Sequence, residues 1–383
     1  MVSISCISKF HSFSLAEQLE KHGLLSNFYT TYYSKKNSLV SPFIKRIDNE
    51  QIPLSKVSTN LPIALSYKVK KTQLEHIKKF DRWVSKNIKA SSAKIFIGWS
   101  GMSLETIKTC KRINKLTILE RGSSHIENQI GLLEEEYKLF GKTFDRNQEI
   151  VDRELEEYEI ADYISVPSLF AKQSFIDRGM HPDKLICNAY GCSSIFKAQK
   201  NPNGYNGPLI ILYLGTLSIQ KGIRYLMEAL DSLDFDYEAW FIGTVHEDMN
   251  SYLQKVKNAK IKLLGYKNHV ELQTIIPRCH VAVQPSIQEG LSMVIPQILS
   301  CGIPVIASKN SGGEDVITEN KNGFIVPIRN PEEIAMKLDY YHQNRPILES
   351  LRKETIESSR LVRSWDDYGD SYSQTLKKIV ENI

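Results

Sequence analysis

Hydrophobic positions in the second half of the chain fall into short unbroken runs separated by helical spacings. Leu209-Ile-Ile-Leu-Tyr-Leu214 is a six-residue apolar run closed by Gly215, the pattern of a strand buried on both faces. Ile223, Leu226, Met227, Leu230 and Leu233 follow at the spacing of an amphipathic helix. The alternation continues, with strands predicted at 237–243, 261–264, 280–284 and 303–307 and helices near 247–257, 270–277 and 291–301. Strands alternating with helices predict a parallel sheet with helices on both sides.

The first half repeats this arrangement less regularly. Strands are predicted at 2–7, 94–99, 116–119, 163–166 and 184–187, and helices at 13–23, 103–113, 126–140, 146–160 and 168–178. Residues 30–72 hold scattered Ser, Pro and Asn without a sustained period and read as loop and short helix. The stretch 197–207, Lys-Ala-Gln-Lys-Asn-Pro-Asn-Gly-Tyr-Asn-Gly, reads as a linker. Two similar α/β domains are therefore expected, 1–197 and 198–365. Ligands of such sheets bind outside the carboxyl ends of the strands, so the site is expected in a cleft between the domains.

A chain of 383 residues exceeds what one core usually serves, which agrees with two domains. The 42% hydrophobic and 24% charged residues exclude a disordered or fibrous chain. No apolar run approaches the roughly 18 residues of a membrane-spanning helix. The start, Met1-Val-Ser-Ile-Ser-Cys-Ile, lacks a basic leader and reads as a first buried strand rather than a signal peptide. Six cysteines without metal or redox spacing are expected as free thiols in a reducing cytoplasm.

Charge is unevenly placed. Residues 1–100 carry 16 Lys/Arg against 6 Asp/Glu, a formal +10, and the remaining 283 carry 33 against 38, or −5. Most of the excess lies in 68–94, which reads either as a solvated helix face or as a patch for anionic lipid or an anionic substrate. Nucleic acid is not the expected partner, because Tyr67, Phe80 and Trp83 do not interleave with the basic residues as a stacking surface requires.

Two segments carry candidate chemistry. Gly215-Thr-Leu-Ser-Ile-Gln-Lys-Gly222 joins a buried strand to a helix, where free backbone N–H groups and the helix dipole favour an anion and Lys221 adds a full charge. Pro285-Ser-Ile-Gln-Glu-Gly-Leu-Ser-Met293 also leaves a strand for a helix. Glu289 there can accept from sugar hydroxyls, and the following amides can hold a phosphate. Each segment by itself also reads as a plain strand-to-helix turn. Ser311-Gly-Gly-Glu-Asp315 and Asn322-Gly-Phe-Ile-Val326 read as turns around a short helix and an edge strand.

Together these motifs resemble the nucleotide-sugar-binding domain of glycosyltransferase family 4, whose fold is the two-domain GT-B. The likeness runs through Tyr213 to Leu226, Gln284 to Met293, Cys301-Gly-Ile-Pro-Val-Ile306, Ser311-Gly-Gly and Asn322-Gly-Phe-Ile-Val. Upstream it includes Ala161-Asp-Tyr-Ile-Ser-Val-Pro-Ser168 and Asn188-Ala-Tyr-Gly191 with Phe196. It covers about 160–342 strongly and 1–160 more loosely. The resemblance implies that Lys221, with Gly215 and Thr216, contacts the donor diphosphate. It implies that Glu289 holds hydroxyls of the transferred sugar and that the amides around Gly290, Leu291, Ser292 and Met293 meet the diphosphate. Three departures stand out. Gln297 replaces the second Glu of the family's E-x7-E motif, at the ribose position. Thr216 stands where an Arg is frequent. Cys192-Ser193 stands where an Asp is common after the glycine.

In the first domain, Glu120-Arg-Gly-Ser-Ser-His125 falls where the family often places a cleft histidine. His125 is a candidate to orient acceptor or donor sugar, against a plain helix-capping turn. Arg121 is a candidate for the diphosphate, and His11 for acceptor contact. Asp234-Phe-Asp236 resembles a D-x-D metal site but precedes its strand, at the end opposite the cleft, so a surface turn is expected.

The resemblance implies a retaining transfer of a sugar from a nucleotide diphosphate to an acceptor hydroxyl, which is read as metal-independent and placed in surface polysaccharide or glycoconjugate biosynthesis. Lys221 and oriented amides would stabilise the leaving diphosphate. No triad or base pair stands out, so that phosphate is expected to take the acceptor proton. Neither cofactor nor metal is expected. The expected partners are a nucleotide sugar and a glycan or lipid-linked acceptor, and the location is cytoplasmic with peripheral contact at an anionic inner membrane face. A non-catalytic nucleotide-sugar-binding protein, and a GT-B epimerase or phosphorylase, are the alternatives. Helix 366–383 is expected to cross back onto the first domain, with Trp365 and Tyr368 on one face.

Overall fold

The computed structural model describes residues 1–31, 33, 51–66, 73–357 and 362–381. They form two all-parallel sheets. The first contains β1 (Val2–Cys6), β2 (Leu25–Thr30), β3 (Val57–Thr59), β4 (Ile95–Trp99), β5 (Leu116–Glu120), β6 (Tyr163–Val166) and β7 (Leu185–Cys187), in the order β3-β2-β1-β4-β5-β6-β7. The second contains β8 (Leu209–Leu214), β9 (Tyr237–Ile242), β10 (Ile261–Gly265), β11 (Val281–Gln284), β12 (Val305–Ser308) and β13 (Gly323–Val326), in the order β10-β9-β8-β11-β12-β13. Strand order reverses between β1 and β4 and again between β8 and β11, which opens a crevice at the carboxyl ends of those strands in each sheet.

The run over β8 shows why this pattern folds so. Leu209, Ile211 and Tyr213 enter one apolar cluster and Ile210, Leu212 and Leu214 the other. Successive strand side chains point to opposite faces, and both faces here are covered. This is the α/β class with two Rossmann-like domains that the sequence pattern predicts.

Three local differences have physical causes. β2 and β3 lie where no strand is predicted. Polar Asn27 interrupts the pattern of β2, but its carboxamide oxygen accepts from Ser91 Oγ at 2.9 Å and Ser3 Oγ at 3.4 Å, so it is tolerated inside the sheet. The helix predicted at 247–257 is a 3₁₀ turn, Glu247–Met249, followed by one α-turn, Asn250–Leu253. Tyr137 donates to Asp248 Oδ2 at 2.8 Å, and Lys142 donates to the Asp248 carbonyl, so this turn is pinned by the first domain. The helix predicted from 291 starts at Val294, because Glu289 and Ser292 amides donate instead to the carbonyls of Asn310 and Ser311, at 3.1 and 2.9 Å.

Helix Trp365–Glu381 lies on the first domain, with Tyr368, Tyr372, Leu376 and Ile379 in its apolar cluster. Gln18 donates to Asp366 at 2.9 Å, and His22 Nε2 lies 2.9 Å from Asp370. The outgoing and returning chains run side by side, Cys192 N donating to Arg363 O at 2.8 Å. A Cβ on Gly191 would lie 2.4 Å from Trp365 N, so only glycine permits this close crossing. Helix Ile126–Leu139 of the first domain reaches the second. Its Glu136, fully buried, accepts from Tyr225 at 2.9 Å and Arg329 at 2.6 Å.

His280, at the foot of β11, joins the linker to β8. Its Nδ1 accepts from Ile210 N and its Nε2 lies against Gly204 O, both at 2.9 Å. Burial pushes this imidazole from its ordinary 6.5 to about 4. A lowered folded-state value means that the stability contribution is complete above about pH 6.5 and is lost as pH falls toward 4, by up to about 3 kcal/mol. Urea midpoints measured from pH 7 to 4 should fall less steeply in His280→Gln than in the parent; equal slopes would show that His280 is not an acid-sensitive group.

Candidate active site between the two sheets

The loops that leave β8 and β11, at the second sheet's switch point, are locked together by backbone. Gly222 adopts φ +66°, and a Cβ there would lie 2.0 Å from Pro285 O. Ile287 N donates to Gln220 O at 2.9 Å, and Gln220 Nε2 donates to Gln288 O at 3.0 Å. This contact brings Lys221 Nζ directly onto Glu289 Oε1, which also accepts from Ser286 Oγ at 3.2 Å. Burial pushes the Lys221 ammonium down to about 8, while the carboxylate against it works in the opposite direction. Gly215 takes φ +144° where β8 ends, and Thr216 is exposed beside it.

The second of these loops presses against the first domain. Gly290 forms an antiparallel bridge with Ser123, and Gln288 Nε2 donates to Ser123 Oγ at 2.7 Å and Ser124 Oγ at 3.0 Å. Ser168 Oγ donates to Gly290 O at 2.5 Å. A Cβ on Gly290 would lie 2.2 Å from Gly122 O.

Next to this contact is a cavity of about 320 Å³ at the carboxyl ends of β1, β4 and β5. Phe10, His11, Trp99, Glu120 and Tyr190 line it from the first domain, and Leu291 and Met293 close it from the second. His11 Nε2 lies 3.0 Å from Glu120 Oε2, and Tyr372 donates to Glu120 Oε1 at 2.5 Å.

The residues singled out by sequence do not all come together. Lys221, Glu289, Gly215, Thr216 and Gly290 gather at the switch point of the second sheet. Gln297 is half-buried on helix Val294–Ser300. Of the amides read as diphosphate donors, that of Ser292 is already committed to Ser311 O. The side chain of Leu291 is packed into the first domain's apolar cluster, and half-exposed Met293 faces the cavity.

His125 takes the second of its two sequence readings, the helix cap. It caps helix Ile126–Leu139, its Nδ1 accepting from Glu127 N at 3.3 Å, and its ring packs on Tyr158 and Phe175. Burial pushes it down to about 4. It does not line the cavity, because the strand end turns it into the core. Arg121 lines the cavity but is bound at 2.8 Å to Glu154, at 3.0 Å to Ser124 O and at 2.6 Å to Gln129, so its charge is already neutralised. Asp234 and Asp236 lie exposed in the turn before β9. Sequence reasoning missed Glu120, Trp99, Tyr190, Gln288 and Tyr372. Glu120 had a signal, a carboxylate ending a buried strand; Tyr372 had none.

Residues 194–361, which make up most of the second domain, match the family model described as Glycosyl transferases group 1. An uncharacterized glycosyltransferase of Methanocaldococcus jannaschii is 26% identical over 48% of this chain and 56% of its own length. A putative colanic acid biosynthesis glycosyltransferase of Salmonella typhimurium is 22% identical over 42% of each. The chain thus spans about half the length of these curated relatives. A sucrose-phosphate synthase from Thermosynechococcus elongatus superposes on 100% of this chain and 99% of its own, with TM-score 0.73 at 16% identity. An Anabaena protein solved in complex with UDP and glucose covers 98% of this chain and 99% of its own, with TM-score 0.68 at 13% identity. The fold is the two-domain GT-B fold.

Gly290→Ala should force the loops 120–125 and 285–293 apart, weakening domain docking by about 1–3 kcal/mol. Small-angle scattering should show a larger radius of gyration with unchanged far-ultraviolet dichroism; an unchanged radius would show that the contact does not set the domain arrangement.

Proposed function

We propose that this protein is a glycosyltransferase that moves a sugar, with retention and without a metal ion, from a nucleotide diphosphate sugar to an acceptor hydroxyl. The observation that carries the reading is the Lys221–Glu289 pair at the switch point of a domain matching Glycosyl transferases group 1. A diphosphate entering there displaces Glu289 from the ammonium, and the freed carboxylate accepts from hydroxyls of the sugar. Positive charge and preorganised amides then stabilise the diphosphate as it leaves. The name of the Salmonella relative supports a role in surface polysaccharide assembly, with a glycan or lipid-linked acceptor. Thr216 and Gln297 favour a second reading, a nucleotide-sugar-binding protein without turnover.

A panel of UDP- and GDP-sugars, screened for binding and then for nucleotide release, separates the two readings. Lys221→Ala should weaken UDP or GDP binding by about tenfold or more, as loss of a charged hydrogen bond implies. Glu289→Ala should keep nucleotide affinity and lose discrimination among sugars. Parent affinity should fall by at most about tenfold per pH unit above pH 8, because the ammonium then releases its proton. Variants that match the parent in binding and turnover would refute the site. The anomeric configuration of the product, read by NMR, tests retention.

Peripheral contact with anionic lipid is part of the same proposal. Of the basic stretch, Lys68, Lys70 and Lys71 lie outside the described residues. Lys78 is paired with Glu149, whereas Arg82, Lys86, Lys89 and Lys94 are exposed on or just beyond helix Gln73–Asn87. Each such cation near an anionic surface contributes about 1 kcal/mol. Sedimentation with phosphatidylglycerol vesicles should be strong at low salt, weak at high salt, and reduced when Arg82, Lys86 and Lys89 become Gln. Absence of low-salt binding rules out the contact.

A further inference from the structure

Helix Ile126–Leu139 starts in the first domain and runs onto the second. Its 14 residues give it a length of about 21 Å. Directly before it, Ser123 and Ser124 hold Gln288 and Gly290, the neighbours of Glu289. The same helix lies beside the turn Ile219–Lys221, and Leu132, Tyr137 and Phe140 pack against the second domain's apolar cluster. One continuous segment of the first domain thus touches both loops that carry the Lys221–Glu289 pair.

Two routes lead from this helix to Lys221. Tyr137 donates to Asp248 Oδ2 at 2.8 Å, and the same oxygen accepts from Ile219 N at 3.4 Å. The Asp248 segment is also fastened to the Lys221 turn by backbone, Leu217 N donating to Thr244 O and His246 N to Leu217 O, both at 2.9 Å. The second route runs through Glu136. This buried carboxylate accepts at 2.9 Å from Tyr225, on the helix that starts at Ile223, two residues after Lys221. Its other oxygen accepts from Arg329, whose φ of +59° is left-handed. A bulky residue keeps such a backbone only where its surroundings impose it. The helix supplies that constraint at three points, Glu136 at 2.6 Å, Glu135 at 2.8 Å and Leu132 O at 3.4 Å.

Resting on the transferase reading above, we propose that helix 126–139 is a splint of the nucleotide site, with Tyr137 and Glu136 as positioning residues that act on Lys221 through Asp248 and Tyr225. A turn held in place beforehand removes an ordering cost that diphosphate binding would otherwise carry. The first domain thereby sets the nucleotide affinity of a site whose charged pair lies on the second.

The test measures UDP and GDP affinity of the full chain by titration calorimetry. Tyr137→Phe removes one hydroxyl and keeps the ring on the second domain's cluster. It should weaken binding of the preferred nucleotide by about threefold to tenfold, part of the worth of a hydrogen bond to a charged group. Asp248→Ala should lose at least as much, whereas Asp248→Asn, which keeps an accepting oxygen, should stay within about twofold of the parent. In a Lys221→Ala background neither Tyr137→Phe nor Asp248→Ala should weaken binding further by more than about twofold, because the residue they position is gone. Equal losses in both backgrounds would mark a merely structural role and overturn the proposal. If Lys221→Ala itself binds nucleotide like the parent, the transferase reading loses its site and this proposal falls with it. If Lys221→Ala is weakened while Tyr137→Phe and Asp248→Ala bind like the parent, the splint alone is overturned.

Discussion

Residue 290 has no room for a side chain. Its Cα approaches the backbone of Gly122 so closely that a Cβ would lie 2.2 Å from the Gly122 carbonyl oxygen, and the rest of the cleft is built around that approach. Two parallel sheets each collect ligand-facing loops at their carboxyl ends, but separate sheets make one site only if those ends are held face to face. The Gly290–Ser123 bridge, the Gln288 carboxamide on Ser123 and Ser124, and the Ser168 hydroxyl on Gly290 O hold them so. Leu291 then enters the apolar cluster of the opposite domain, which ties the loop 285–293 to the first domain by burial as well as by hydrogen bonds.

The two sides of this junction differ in chemistry. On the second domain, Lys221 and Glu289 neutralise one another in a part-buried contact, an arrangement that an anion can rearrange without leaving an uncompensated charge. On the first domain, charges are already settled: Arg121 belongs to Glu154, and Glu120 is shared between His11 and Tyr372. What remains toward the cavity there is largely the aromatic surface of Phe10, Trp99 and Tyr190. Breaking buried ion pairs is costly, so the first domain is poorly suited to binding a diphosphate.

The chain crosses between the domains twice, and both crossings depend on local chemistry far from the cleft. Gly191 lets the outgoing strand run against Ser364 and Trp365, and the returning helix inserts Tyr368 and Tyr372 into the first domain. Glu136 makes a third link, buried between Tyr225 and Arg329 of the second domain. The last helix therefore both closes the first domain's core and supplies the hydroxyl that holds Glu120.

Periodicity alone fixed most of the architecture. Continuous apolar runs such as 209–214, short and closed by glycine, read as strands covered on both faces, and the helical spacings between them leave a parallel sheet as the arrangement that buries both. The residues at the second sheet's switch point were legible for a related reason: Lys221 and Glu289 sit in glycine-bearing turns directly after such strands, so their place at the sheet's carboxyl edge follows from chain order. Strand β2 was hidden because Asn27 is satisfied by serines 24 and 64 residues away. His125 and His11 both follow strands of the first sheet, and sequence alone did not say which of them borders a cavity. Only the fold shows that His125 turns into the core as a helix cap while His11 borders the cavity. Which side chain reaches a cavity, and which carboxylate and hydroxyl stand behind it, depends on contacts between residues 11, 120 and 372. No local pattern encodes separations of that length; they exist only once both sheets and the returning helix are packed.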